Sequence, residues 1–164
     1  MTKDELIRYI HENDAGQTEN GFAFQMNVPQ MGAQVDVLID SISSTSSEPN
    51  MSILSEIVKD LLAFHPKEHE WFQNKIWENY CWNMREGWFG FVDYNGFPNT
   101  ESANLAHFAI ENPTQVIRAI ALKHVGICIN KEGVRNFDLT FSCPWDPEHG
   151  ITIGVTNHQF SHMG

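Results

Sequence analysis

The sequence predicts an α+β domain: an antiparallel sheet with a C-terminal meander, and helices packed mainly on one face. Three observations carry that expectation. Apolar residues recur at helical spacing through the middle of the chain, roughly residues 51–111. They alternate at strand spacing near the N-terminus and again toward the C-terminus, where Phe137, Leu139, Phe141 and Cys143 point one way while Asp138, Thr140 and Ser142 point the other. The two periodicities cluster instead of alternating, which separates this pattern from a doubly wound α/β order. With 164 residues, 41% of them hydrophobic, the chain is long and apolar enough to bury a core without staples, and a single domain over 1–164 is expected.

Each element follows in order. Thr2-Lys3-Asp4-Glu5 has capping-box spacing and precedes Leu6, Ile7 and Ile10, so a short helix ends near Asn13–Gly16. Residues 20–29 and 33–40 read as strands, with Phe22 and Phe24 alternating in the first and Val35, Val37 and Ile39 in the second; Pro29 to Gly32 joins them as a hairpin. The serine-rich stretch Ser41 to Asn50 is a loop. Met51, Leu54, Ile57, Val58, Leu61 and Leu62 form an amphipathic helix that His65-Pro66 ends, because a residue before proline avoids the α region. A second helix over 67–85 carries Trp71, Phe72, Ile76, Trp77, Tyr80, Cys81 and Met84, with Gly87 as its C-cap. Gly87 to Thr100 is an aromatic loop, and its Trp88-Phe89-Gly90-Phe91 run is expected to pack under the loop, the alternative being a partner-binding edge. A third helix over 100–111 stops at Asn112-Pro113. Residues 114–130 read as one long strand, although the first half also admits a helix; Lys131-Glu132-Gly133 turns the chain into the strand around 137–143, and Ile151, Ile153 and Val155 alternate in the next. The tail from Asn157 to Gly164, with His158 and His162 four apart, reads as frayed.

The charge balance narrows the partners. Ten basic and 21 acidic side chains give a net charge of −11. Such a surface repels phosphate, so nucleic acid and anionic lipid are disfavoured as ligands, while encounter with a basic protein is accelerated. Asp36, Asp40 and Glu48 are candidate contacts. Cys81, Cys128 and Cys143 form no C-x-x-C pair and sit at apolar positions of periodic segments, which argues for buried thiols over a disulfide framework or a zinc ribbon. The first residues lack the apolar core of a signal peptide, and no apolar run reaches the roughly 18 residues of a membrane helix. A cytoplasmic, non-membrane protein is expected.

Two motifs bear on chemistry. His65-Pro66-Lys67-Glu68-His69 matches the inverted zinc-peptidase pattern H-x-x-E-H, but Pro66 makes the histidines straddle a helix boundary, so an interhelical turn is the preferred reading. Trp145-Asp146-Pro147-Glu148-His149-Gly150 places two carboxylates and an imidazole at a strand tip, where Asp146, Glu148 and His149 could bind metal or act as acid and base. The same residues suit a hairpin turn: Asp146 and Pro147 for its first two positions, and Gly150 for positive φ. The turn reading is preferred, and Trp145, Asp146, Glu148 and His149 remain the candidate functional residues. No Walker loop, G-x-G-x-x-G or G-x-S-x-G occurs; no cofactor and no metal are expected.

The segment from Phe137 through Trp145-Asp146-Pro147-Glu148-His149-Gly150 to Val155 resembles an uncharacterised bacterial family with a strand, a tryptophan-acidic-x-Glu-His-Gly turn and a second strand. It resembles the small acidic domains found near polymorphic-toxin and immunity genes, over residues 114–156 at most. The resemblance implies an immunity-type protein and transfers no catalytic residue. The expectation is therefore a non-enzymatic binding protein, an immunity-type inhibitor whose partner is a basic toxin domain. The alternatives are a metal-dependent hydrolase using the 145–150 turn and a structural module that self-associates through aromatic surface.

Overall fold

The computed structural model of the chain describes residues 3–12, 16–18, 21–28, 33–40, 51–129 and 135–164. Among these, the helices are α1 (Lys3–Glu12), α2 (Met51–Ala63), α3 (Glu70–Glu86), α4 (Thr100–Phe108) and α5 (Pro113–Ala119). The strands are β1 (Gly16–Thr18), β2 (Gly21–Val28), β3 (Ala33–Asp40), β4 (Ala121–Ile129), β5 (Arg135–Cys143), β6 (Asp146–Thr156) and β7 (Gln159–Met163). They form one α+β sheet in sequence order from β1 to β7, mostly antiparallel, ending in the predicted C-terminal meander. One pair is parallel: β3 and β4 run side by side with Val37 opposite Val125, because the helices α2 to α5 separate them in the chain. The expected loop over 41–50, the turns over 29–32 and 131–133, and the capping residue Thr2 lie outside the described residues.

The chain divides into two compact units. The first comprises residues 1–65, 122–141 and 151–164. Its core is built from period-two strand faces: Met26 and Val28, Val37, Val125 and Ile127, Phe137, Leu139 and Phe141, then Ile151, Ile153 and Val155 are all buried. The stripe of α2 adds Leu54, Ile57, Val58 and Leu61, and Phe64 meets Phe137 edge-on at 5.5 Å.

The second unit comprises residues 66–121 and 142–150. It opens with a single 3-10 turn, Pro66–Glu68, and His69 in extended backbone (φ −97°, ψ 112°) starts α3. The buried face of α3 is Phe72, Ile76, Tyr80 and Met84, at i, i+4, i+8 and i+12, the spacing read from the sequence. Phe72, Ile76 and Met84 each contribute on the order of 1.5–3 kcal/mol when removed from water. Gly87 caps the helix, its N–H donating to the Asn83 carbonyl at 2.8 Å.

Three expectations need correction. The segment after Pro113 is not strand from the start: Pro113–Ala119 is helical, and β4 begins only at Ala121. The β-branched Val116 and Ile117 suggested a strand, but local capping prevailed. The Asn112 side chain accepts the Gln115 N–H at 3.0 Å, proline occupies the first turn where it costs nothing, and Val116 and Ile117 are buried from helical positions. The preceding helix ends at Phe108, three residues early, because Ala109 adopts the left-handed conformation (φ 52°, ψ 35°) and its N–H closes on the Leu105 carbonyl at 3.0 Å. The tail is not frayed. Asn157 and His158 both take positive φ (50° and 61°), which is the type I′ pattern of a two-residue hairpin, and β7 then pairs with β6. Gly164 exchanges both backbone hydrogen bonds with Thr152, at 2.9 and 3.0 Å, and the His158 ring packs edge-on against Phe64.

Candidate functional site

The stretch singled out in the sequence is put to structural use. The reversal falls at Pro144–Trp145, not at Asp146–Pro147, so Asp146 to Gly150 already belong to β6. Trp145 is buried: its indole N–H donates to Asn79 Oδ1 at 3.1 Å, and its ring meets Tyr80 edge-on at 5.1 Å. Tyr80 in turn stacks on Trp77 at 5.4 Å. Asp146 Oδ1 accepts the His149 backbone N–H at 3.1 Å and lies 3.2 Å from His149 Nδ1. The His149 side chain is 81% exposed. Glu148 is exposed, and the three candidate titrating groups are not grouped to hold a metal. Gly150 has the expected positive φ, 76°, but within β6 and not in the turn.

The other polar motifs are equally dispersed. His65 precedes the 3-10 turn and His69 follows it, so the H-x-x-E-H histidines occupy no common helix face. Among the described residues, no three His, Cys, Asp or Glu side chains are grouped to hold a metal. Cys143 is buried and its thiol is pushed up to about 11, chiefly by that burial. The side chain of Cys128 lies outside the described residues, as do that of Asp40 and the whole of Glu48. Asp36 is exposed and accepts from Gln25 Nε2 at 3.0 Å across the β2–β3 pair. Among the described residues no helix is long and apolar enough to cross a membrane.

The unexpected feature is the loop over 87–99. Sequence reasoning placed its rings under the loop, yet Trp88 is 71% exposed and Phe91 56%. Phe97 is exposed as well. The loop is nevertheless tightly held. Trp88 stacks face to face on Tyr94 with centroids 4.1 Å apart. Tyr94 Oη accepts the Phe89 N–H at 2.8 Å and lies 3.1 Å from Asn104 Oδ1. Asn104 is fully buried in α4 and spans back to the end of α3: its Nδ2 donates to the carbonyls of Met84 and Gly87, both at 2.9 Å. Buried Val92 pins the loop's middle, and Asp93 accepts from both the backbone and side chain of Asn95. Phe89 and Phe91 both contact Phe108 edge-on.

Between them, α3 and α4 leave a groove of about 930 Å³. Trp77, Cys81 and Met84 line it from α3, and Leu105, Ala106 and Ala109 from α4 and its cap. The Cys81 thiol is half-buried there; burial lifts it above its ordinary value, Arg85 draws it part-way back and Glu101 pushes it up again.

A family model matches residues 11–164 of the chain. The chain belongs to the domain of unknown function family DUF6985. The match covers nearly the whole chain, both units included, and the family's description assigns no activity. No curated protein and no solved structure matches this DUF6985 chain. Its fold must therefore speak through its own residues. The one sequence signal that could have exposed the loop platform is the density of rings between two helices with no period to bury them: Trp88, Phe89, Phe91, Tyr94 and Phe97 fit neither spacing.

Proposed function

We propose that this DUF6985 chain is a non-enzymatic protein-binding domain that engages its partner through the aromatic loop over 87–99. The observation that carries the reading is the exposure of Trp88 and Phe91 on a loop held rigid from beneath. Exposed large rings oppose solubility, and a mobile loop would lose much of its binding energy in ordering. Here the ordering is already supplied by the Trp88–Tyr94 stack and the Asn104 hydrogen bonds, so the rings are presented as pre-organised anchors of the kind that dominate interfaces. The Trp145–Gly150 stretch supports the same reading by its employment elsewhere: Trp145 serves the core and Asp146 holds His149 in place. The net charge of −11 favours a basic partner. An immunity-type inhibitor of a basic toxin domain is the narrower form of this proposal, resting on that charge and on the hairpin's resemblance.

The test is a pull-down with the tagged chain beside its Trp88→Ala/Phe91→Ala variant. The partner recovered by the parent should bind the variant at least about 30-fold more weakly, as expected for two interface anchors, with the variant's secondary structure retained by circular dichroism. Its association rate should fall with added salt. Equal binding by both forms would remove the loop from the interface, and a flat salt response would remove the electrostatic part. A concentration-dependent dimer that the variant abolishes would assign the loop to self-association instead.

A further inference from the structure

We infer that the groove between α3 and α4 is a docking site for a basic amphipathic helix of a partner protein. The inference rests on the binding reading above and names the partner's chemistry. Trp77, Cys81 and Met84 stand at i, i+4 and i+7 on α3 and so share one face of that helix. Opposite them, Ala106 and Ala109 are too short to fill the gap, and Leu105 is left 42% exposed. The floor is thus a trough of apolar side chains along two helices, the form of site that takes an apolar helix face with anchors at i, i+3 or i+4, and i+7.

The rim decides which helix. Glu78, Glu101 and Glu111 border the groove with Arg85, and Lys75 pairs with Glu78 at 2.7 Å, so three carboxylates against two cations leave the rim at −1, with Glu101 and Glu111 as the carboxylates that set its sign. The three carboxylates and Arg85 are exposed, where they act as a field around the trough without being buried by it. That field repels the carboxylate of a fatty acid and the phosphate of a nucleotide or lipid headgroup, and a neutral apolar ligand gains nothing from it. Lysine and arginine flanking an apolar helix face complement it, and the whole chain at −11 steers the same partner inward. Cys81 in the floor provides a native reporter, because an occupying helix covers its thiol.

The experiment uses the full chain and a synthetic peptide of roughly 18 residues, long enough to be helical, with leucines at i, i+3, i+4 and i+7 and lysines on the flanks. The controls are the same peptide with glutamate for lysine, and palmitate. Binding is followed by calorimetry, and Cys81 alkylation by site-resolved mass spectrometry. The lysine peptide should bind and slow Cys81 alkylation about tenfold or more; the glutamate peptide and the Glu101→Gln/Glu111→Gln variant should each weaken binding by about tenfold or more. The variant changes only exposed side chains, so its melt should match the parent. Absence of binding, binding that leaves Cys81 unprotected, or binding indifferent to the rim variant would overturn the inference. Protection of Cys81 by palmitate and not by the peptide would also overturn it and make the groove an apolar small-molecule site. The two readings fail separately: a partner lost with Trp88→Ala/Phe91→Ala while the peptide leaves the groove empty refutes the groove alone, and a partner kept by that variant while the peptide fills the groove refutes the loop alone.

Discussion

Replacing Asn104 by alanine should unfold the second unit more readily than any comparable polar substitution. The side chain is fully buried and makes three contacts at once: two N–H bonds to the Met84 and Gly87 carbonyls at 2.9 Å, and the Tyr94 hydroxyl at 3.1 Å from its oxygen. Each such bond contributes about 1 kcal/mol net, and the carbonyls and hydroxyl left without it carry their desolvation penalty, so Asn104→Ala should cost roughly 3–4 kcal/mol. Asn104→Asp should cost at least as much, since it sets a carboxylate against two carbonyl oxygens. The assay is built into the chain. All five tryptophans, Trp71, Trp77, Trp82, Trp88 and Trp145, lie in the second unit, so tryptophan fluorescence in a urea titration reports that unit. Hydrogen exchange at the Phe89 amide, which donates to Tyr94 Oη, reports the loop separately and should accelerate. Asn95→Ala, which removes an exposed hydrogen bond to Asp93, is the control and should change stability by less than about 0.5 kcal/mol. A loss below about 1 kcal/mol for Asn104→Ala with an unchanged denaturant slope would refute the hub assignment.

Other outcomes follow from single sites. Gly87→Ala should cost about 1–3 kcal/mol, read by the same titration, because a Cβ would sit 2.5 Å from the Asn83 carbonyl oxygen and 2.7 Å from the Phe89 ring. Gly150→Ala, at φ 76°, should cost about 1 kcal/mol or more, and a parental melt would contradict the strain. Trp145→Phe should lose about 2 kcal/mol through the missing Asn79 bond and volume, whereas Glu148→Gln, at an exposed position, should fall within about 0.5 kcal/mol; the reverse order would count against Trp145 as the structural residue of the 145–150 stretch. Burial raises the Cys143 thiol from 9.0 to about 11, so between those pH values the folded form keeps a proton that the unfolded form has lost. Its contribution is therefore complete below pH 9 and declines as pH rises toward 11, by about 3 kcal/mol. Cys143→Ala should flatten that alkaline slope in denaturation curves, and an unchanged slope would count against the assignment.

The sequence by itself determined the α+β class, the amphipathic helices and the strand faces of the meander, because period 3.6 and period two are written in neighbouring residues. It also marked Gly87 as the end of α3 and Gly150 as a positive-φ position, since only local backbone geometry is at stake there. Local rules failed where two of them competed. Val116 and Ile117 favoured strand while Asn112-Pro113 favoured a helix start, and the buried helical packing of both residues settled it. His158 looked like the start of a frayed end until β6 offered β7 a partner and Phe64 offered the histidine ring a contact. Tertiary structure alone decided which aromatic side chains are buried and which are exposed. Trp145 became a core residue because Asn79 and Tyr80, more than sixty positions earlier, meet its ring and its N–H. Trp88 and Phe91 became surface because Asn104, Tyr94 and Phe108 hold the loop in a conformation that leaves those rings 71% and 56% exposed. Exposure is a property of what surrounds a side chain in space, and a hydrophobic residue carries no record of it in its own position along the chain.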